Sequence, residues 1–468
     1  MDNIENKTEQ SKFPHTLVLL FVVLVVIGVL TWIIPAGEFD RVMRDGRTIV
    51  VPGSFQYVER SPQNPFDCLL AIPEAFKQVQ DIVFFILVSG GAFTLINETG
   101  TLIVSINKLT QMVKGKELLI IPLVIFVISL AGTTIGLNEE TIVLLPLGIM
   151  MARMLGFDAI VGMAIIQLGA AVGFNAGIMN PFTVGLSQQI AELPLFSGLW
   201  LRVIIFIVFW AVTSLMVISY AKKVRADKKN SIIYHLELEA ESNSMDELED
   251  SEFTRAHLLI LAVFILGFAL IGYGVFNLGW FIQEIGAVFL AMGILSAIIG
   301  RIKPNKIGEL YIEGSKEMIF ACLVIVLARA VLVIMQQGLI LDSIIHSITV
   351  AIGFLPKSLS VVGMYIAQII INFLIPSGSG QAAATMPIMV PLADTIGITR
   401  QTSVLAYQFG AGLMDSILPT SGVLMAQLSI SKISYNEWGK FMKPIMIAWI
   451  LMGLAFLLFA TFINYGPF

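Results

Sequence analysis

The chain has little of what catalysis in water is usually built from. Of its 468 residues only 13% are charged, four are histidine and two are cysteine. Cys68 and Cys322 make neither a disulfide framework nor a metal cluster. His15, His235, His257 and His346 stand far apart, and none is paired at the His-Glu-x-x-His spacing of an intramembrane metalloprotease. Gly378-Ser379-Gly380 offers a serine, but no histidine lies at that depth to activate it. A haem or quinone enzyme would need buried histidine pairs. No nucleic-acid signature is present. The sequence therefore excludes the common enzyme classes and nucleic acid as a partner, and no cofactor is expected.

What the chain has is apolar length: 57% hydrophobic residues and a mean hydropathy of +0.87. Unbroken runs of helix-spanning length mean an all-α polytopic membrane protein, since a β-barrel would show only weak alternation. The first run, 17–34, is long for a signal-peptide core and is followed by Pro35-Ala36-Gly37-Glu38 without a clear cleavage site, so it reads as a retained span. About nine full spans are expected near 15–36, 80–97, 159–190, 198–220, 257–275, 278–300, 317–337, 401–428 and 441–465. Trp32, Trp200, Trp280 and Trp438 fall near span ends, where interfacial anchors belong.

Lys and Arg clusters set the orientation. Lys7 and Lys12, then Lys108, Lys114 and Lys116, then 222–229, then Arg301, Lys303 and Lys306, share one side under three conditions. The N-terminus is cytoplasmic, the segment 118–155 enters from inside and returns, and 359–396 enters from outside and returns. Opposite entry sides are the mark of an inverted-topology repeat. The expected organisation is a first repeat over 1–220, a cytoplasmic linker over 221–256, a connecting span over 257–275 and a second, inverted repeat over 278–468. The linker turns acidic from Glu237 to Glu252 and reads as a solvated tether. The expected compartment is the cell membrane of a prokaryote.

The repeat also shows in the residues. GLNEETIVLLPLGIM (136–150) is followed by QLGAAVGFNAGIMNPFTVG (167–185), and IPSGSGQAAATMPIMVPL (375–392) by QFGAGLMDSILPTSGV (408–423). Each time a small, polar, Gly-bearing tip interrupts an apolar pair of arms, and a Gln-x-Gly segment broken by a polar residue and proline follows. Paired broken segments in corresponding positions are the best sequence pointer to a transporter's binding site, because irregular backbone survives at membrane depth only against protein or a watery cavity.

Ionisable residues at that depth cost roughly 2.5–3.5 kcal/mol each on insertion scales and are functional candidates by default. Glu139 and Glu140 stand at the first tip and Asp415 at the second break; all three are candidates for substrate binding and for ion coupling. Asn138, Asn175, Asn180, Ser377, Gly378, Ser379, Gly380, Thr420 and Ser421 complete the candidate binding set. Glycines at the second tip let the backbone present amides to a carboxylate and carbonyls to Na⁺. Arg153 is placed where it can snorkel to the interface, and Arg329 has several open roles. A site with excess carboxylate suits a cationic substrate or a proton relay better than an anion.

The opening TLVLLFVVLVVIGVLTWIIPAGEFDR, the segment GLNEETIVLLPL and above all PSGSGQAAATMPIMVPLADTIGITRQTSVLAYQFG resemble the YfcC-type carriers of the ion transporter superfamily. These are related to C4-dicarboxylate anaerobic carriers and arginine/ornithine antiporters. The resemblance implies two inverted repeats, hairpins meeting at mid-membrane, a homodimer and elevator-type alternating access. Anion carriers of this superfamily have a Ser-Asn-Thr motif at both tips. Here those positions are Asn138-Glu139-Glu140 and Ser377-Gly378-Ser379. The first tip gains acid, which turns the expectation toward a small, basic amino acid moved by exchange or cation-coupled uptake, with Na⁺ or H⁺ as the coupling ion. The alternative is a C4-dicarboxylate or other carboxylate carrier.

Overall fold

A computed structural model of the chain describes residues 16–44, 47–112, 115–134, 136–238, 253–280 and 282–466. Lys7, Lys12, Lys114 and the acidic run from Glu239 to Glu252 lie outside the described residues. The described chain is almost wholly helical, and eight of its helices are long and apolar enough to cross a membrane. Seven of these coincide with expected spans, and the eighth, Glu117–Thr134, is the first arm of the 118–155 segment. The remaining two expected spans are α1 (Thr16–Ile33), which is shorter, and 401–428, which is broken.

Between α1 and α2 (Pro65–Glu98) run two small antiparallel ribbons. One pairs β1 (Gly37–Glu38) with β4 (Gln56–Tyr57) and the other β2 (Arg41–Arg44) with β3 (Arg47–Val50). Helix α2 begins fifteen residues before the expected position near 80, and local chemistry explains it. The Asn64 side chain accepts from the amides of Phe66 (2.8 Å) and Asp67 (3.1 Å), while the Asp67 carboxylate accepts from Asn64 N (2.8 Å). This is a capping box, followed by Pro65 where a missing amide costs nothing. Glu74, Lys77, Gln78 and Asp81 lower the hydropathy of the next turns without interrupting the helix. At about 1.5 Å per residue its 34 residues outreach a hydrocarbon core of about 30 Å.

The helices form two sets. In the first, α2 packs against α10 (Ile282–Ile299), α11 (Pro304–Glu317) and α12 (Ile319–Gln337). Helix α1 leans on α12, and α9 (Arg255–Tyr273) leans on α10. We refer to this set as the frame. In the second, the core, α4 (Ile120–Thr134) and α5 (Thr141–Met154) both lie on α6 (Ala159–Ala176). Likewise α14 (Lys357–Leu374) and α15 (Gly378–Ile396) both lie on α16 (Arg400–Met414), and α6 crosses α16. The exchange is reciprocal. The short helix α7 (Leu186–Ile190), beyond the first break, packs on α15, and α17 (Gly422–Ser431), beyond the second, packs on α5. Helices α3 (Thr101–Met112) and α13 (Leu341–Gly353) meet α5 and α15 in the same corresponding way. Helix α8 (Leu199–Ala226) and α18 (Tyr435–Phe462) flank the core.

Two expectations about single residues change. Trp438 is no interfacial anchor: it is fully buried, and its Nε1 donates to the Ser416 carbonyl at 2.9 Å. Arg153 does not merely reach for the interface. It forks onto Glu237 of the linker (2.9 and 3.1 Å), whose carboxylate also accepts from Ala159 N (3.0 Å) at the start of α6. The described end of the linker is therefore tied to the core rather than solvated.

Candidate functional site

The first break begins where α6 ends at Gly177, in the left-handed conformation at φ +51°. The unwound amides find partners on the end of α4. Ile178 N donates to Thr133 Oγ1 (2.8 Å) and Met179 N to the Thr133 carbonyl (3.0 Å). Asn180 then restarts the helix: its Oδ1 accepts from the amides of Phe182 (2.9 Å) and Thr183 (3.2 Å). A five-residue π turn, Pro181–Gly185, leads into α7. Irregular backbone is thus satisfied from within the protein, as burial requires.

The first tip, between α4 and α5, turns through Asn138, Glu139 and Glu140. Glu140 accepts from Asn138 N at 3.1 Å, and the Thr141 hydroxyl donates to the Asn138 carbonyl. Thr141 in turn receives Gln427 Nε2 (2.7 Å) from α17, which links the first tip to the segment beyond the second break. At the second tip Ser377 caps α15, with its Oγ accepting from Gly380 N (3.3 Å). The buried Tyr407 of α16 donates its hydroxyl to the Gly378 carbonyl at 2.6 Å. Behind this tip a buried network joins the two arms: Gln381 Nε2 donates to Gln368 Oε1 (2.7 Å) and Asn372 Nδ2 to Gln381 Oε1 (3.1 Å).

At the second break, α16 stops at Met414 and α17 restarts with Ser421 as cap. The freed carbonyls of Ser416 and Ile417 accept from Trp438 Nε1 (2.9 Å) and the Tyr435 hydroxyl (2.7 Å). Asp415 Oδ1 is buried and has no protein partner.

These four features meet around a cavity of about 210 Å³. Asn138, Glu139, Glu140, Ser377, Gly378, Ser379, Asp415, Thr420 and Ser421 all line it. Three residues of the expected set do not. Asn180 is occupied as a cap, Gly380 lies one step behind the tip, and Asn175 is fully buried at the crossing of α6 and α16. The opposite wall comes from the frame: Val79 and Ile82 of α2, Trp280 and Ile285 beside and on α10, and Ala328 and Arg329 of α12. In the sequence Arg329 has several open roles and Trp280 stands near a span end, yet both line this cavity. The signal for Arg329 was there, as a lone basic residue inside an apolar run; nothing in the sequence marked the apolar wall. Phe174, Phe182 and Thr183 complete the core side.

The electrostatics are lopsided. Three carboxylates and one guanidinium face this cavity. Among the described residues no ion pair involves Glu139, Glu140 or Asp415; the pairs found, such as Arg41–Asp342 and Arg225–Glu117, lie elsewhere. A larger cavity, about 490 Å³, lies between β2–β3, α7 and α15. Its walls are mainly apolar, and the charges there satisfy one another, Arg400 pairing with Glu192 (3.1 Å) and Asp394 (2.8 Å). Convergent, unsatisfied polar groups mark a binding site, so the smaller cavity is the candidate.

Residues 13–462 match the family described as DcuC, C4-dicarboxylate anaerobic carrier. The chain is 31% identical over 495 residues to the Escherichia coli (strain K12) protein named "Putative basic amino acid antiporter YfcC", with 96% of each covered. It is 28% identical over 492 residues to an uncharacterized protein of Haemophilus influenzae, again with 96% of each covered. Among solved structures it is similar to the Alcanivorax borkumensis YdaH transporter (16% identity, TM-score 0.43, 97% of this chain and 100% of that one). It is also similar to Neisseria gonorrhoeae MtrF, of a class of antimetabolite efflux pumps (17% identity, TM-score 0.45, 97% and 96% covered).

Proposed function

The chain belongs to the C4-dicarboxylate anaerobic carrier family, a family of membrane transporters rather than enzymes, and we propose that its own substrate is a small amino acid with a cationic side chain. The observation that carries this reading is the charge of the cavity: Glu139, Glu140 and Asp415 against Arg329 alone. With all four ionised the cavity carries a net charge of −2; an amino acid with a cationic side chain, net +1, meets half of it, and one coupling cation, Na⁺ or H⁺, meets the rest. The relative named as a basic amino acid antiporter supports the same direction.

Transport proceeds by exchange, or by uptake coupled to Na⁺ or H⁺ at the tips. The reciprocal packing of the two halves supports two inverted repeats, and the cavity's position between core and frame supports elevator-type movement of the core within a homodimer. Substrate held on the core tips would travel with them, while the frame wall stays behind.

A second reading, a C4-dicarboxylate carrier, is favoured by the family's description and by Arg329. Uptake of labelled arginine into proteoliposomes preloaded with ornithine separates the two. Uptake that requires internal ornithine supports a basic amino acid exchanger. Exchange of fumarate or succinate, with none of arginine, replaces it with the carboxylate reading.

A further inference from the structure

Arg329 is not placed like a structural arginine. Its Nε donates to Gln78 Oε1 at 2.9 Å, so α12 and α2 hold it jointly on the frame. That single bond fixes the plane of the guanidinium and uses only one of its five N–H donors. Among the described residues its two terminal nitrogens, Nη1 and Nη2, have no protein partner, and the residue lines the cavity. No ion pair joins it to the acids of the same cavity, although pairing would cost the chain nothing in composition. One helical turn before it, Ile325 meets the start of α17: a Cβ on Gly422 would come within 2.8 Å of Ile325 Cγ1 and 3.3 Å of its Cα. The contact brings Thr420, Ser421 and Gly422 to the same wall as the guanidinium. Glu139 and Glu140, on the first tip, enter from the core.

We infer that Arg329 is the carboxylate receptor of the site, gripping the substrate's carboxylate from the frame while Glu139, Glu140 and Asp415 hold its cationic groups from the core. This rests on the amino acid reading above and adds the residue that tells an amino acid from a simple diamine. A planar fork with two free nitrogens matches a carboxylate bidentately, which a lysine cannot do. The arrangement also explains why one guanidinium is kept in a cavity otherwise built for cations. A site for an amine alone would gain by losing it.

The test compares arginine with agmatine, which has the same guanidinium and a free amine-type tail but no carboxylate, on wild type, Arg329→Gln and Arg329→Lys. Affinity is read on the purified protein by ligand-induced thermal stabilisation and by competition in proteoliposomes. Losing a charge-assisted pair should weaken arginine about 10- to 100-fold in R329Q. Agmatine should hold its affinity or gain, because a like charge has been removed. R329K should fall between. Retained agmatine binding also shows that R329Q is folded. Equal weakening of both ligands in R329Q and R329K, or no weakening of arginine, overturns the assignment. If the wild type binds neither ligand, it is the amino acid reading that fails. The same variants are then compared with succinate and its monoamide: selective loss of succinate in R329Q keeps Arg329 as the receptor, and unchanged succinate affinity removes it.

Discussion

Charge at membrane depth is the costliest feature of this chain, and removing it one group at a time gives a decisive experiment. The variants are Glu139→Gln, Glu140→Gln and Asp415→Asn. An ionisable group on a spanning segment costs roughly 2.5–3.5 kcal/mol on insertion scales, and here no ion pair among the described residues offsets it. Asp415 Oδ1 has no protein partner, although the side chain meets Asn372, so the amide relieves part of that cost. Glu140 accepts from Asn138 N at 3.1 Å, a bond that a glutamine Oε1 keeps, so E140Q preserves the tip while discharging it. The melting temperature of each variant should therefore stay level or rise, as is usual when a functional site is relaxed. Transport of a cationic substrate should fall about 10- to 100-fold per variant, the equivalent of one charge-assisted bond of about 1.5–3 kcal/mol. Both quantities are measured on the same preparation, by thermal unfolding and by counterflow in proteoliposomes. Unaltered transport in all three variants, or a loss of stability in all three, refutes the reasoning, since the acids would then be scaffold. A rise in succinate affinity on neutralisation would place them against an anionic substrate.

Four further outcomes follow from single contacts. A Cβ on Gly173 would stand 2.1 Å from the Ser129 carbonyl and 2.7 Å from Thr133 N, so Gly173→Ala must push α4 off α6 and displace the Thr133 clasp on the first break. Overpacking of this kind costs about 1–3 kcal/mol, measurable as a lower melting temperature with impaired transport, whereas Gly272→Ala, with nothing within 4 Å, should be neutral. Tyr407→Phe strands the Gly378 carbonyl at the second tip and should cost about 1–3 kcal/mol, visible as lower stability and a raised KM. Asp342→Asn weakens the grip on Arg41 Nη2 (2.8 Å) while leaving an acceptor for Phe39 N (3.0 Å), so the ribbon loop should become more sensitive to limited proteolysis with transport little changed. Glu237→Ala removes the acceptor shared by Arg153 and Ala159 N and should lower the melting temperature; an unchanged value would mean that the linker end is not tied down in solution.

The parts of this architecture that were legible in the sequence are those that violate the chemistry of a bilayer. Breaks, glycine tips and intramembrane acids stand out against apolar runs, and nine of the twelve expected binding residues line the cavity. The misses come from partners that composition and hydropathy do not reveal, some a few residues away and some hundreds. Asn180 has the right chemistry for a ligand but spends it capping the restart of its own helix. Arg41 is a stray charge after the first span until it is seen on Asp342, 301 positions later. Trp438 stands near a span end in the sequence, yet it serves the second break as a donor. The start of α2 was hidden because hydropathy averages over a window, while a capping box acts at one residue. The frame wall left no signal, for Ile285 or Ala328 in an apolar helix looks the same facing lipid or substrate.

The two breaks show why the cavity's polar groups are surplus to folding. Unwinding a helix in an apolar setting frees amides and carbonyls, each of which costs free energy if left unpaired. Here the repair comes from the side away from the cavity. Thr133 takes the amides of the first break, and Trp438 and Tyr435 take the carbonyls of the second. Gln368 and Gln381 brace the second pair of arms from behind, and Tyr407 pins its tip. With the backbone satisfied from outside, folding places no demand on Glu139, Asp415 Oδ1 or the terminal nitrogens of Arg329, which face the cavity or lie beside it without a protein ion pair. Had these groups been needed to close the fold, they would be paired with one another, as Arg400 is with Glu192 and Asp394. Their separation, acids on the core and guanidinium on the frame, leaves room for a molecule with charges of both signs to complete the pairing in this arrangement of core and frame.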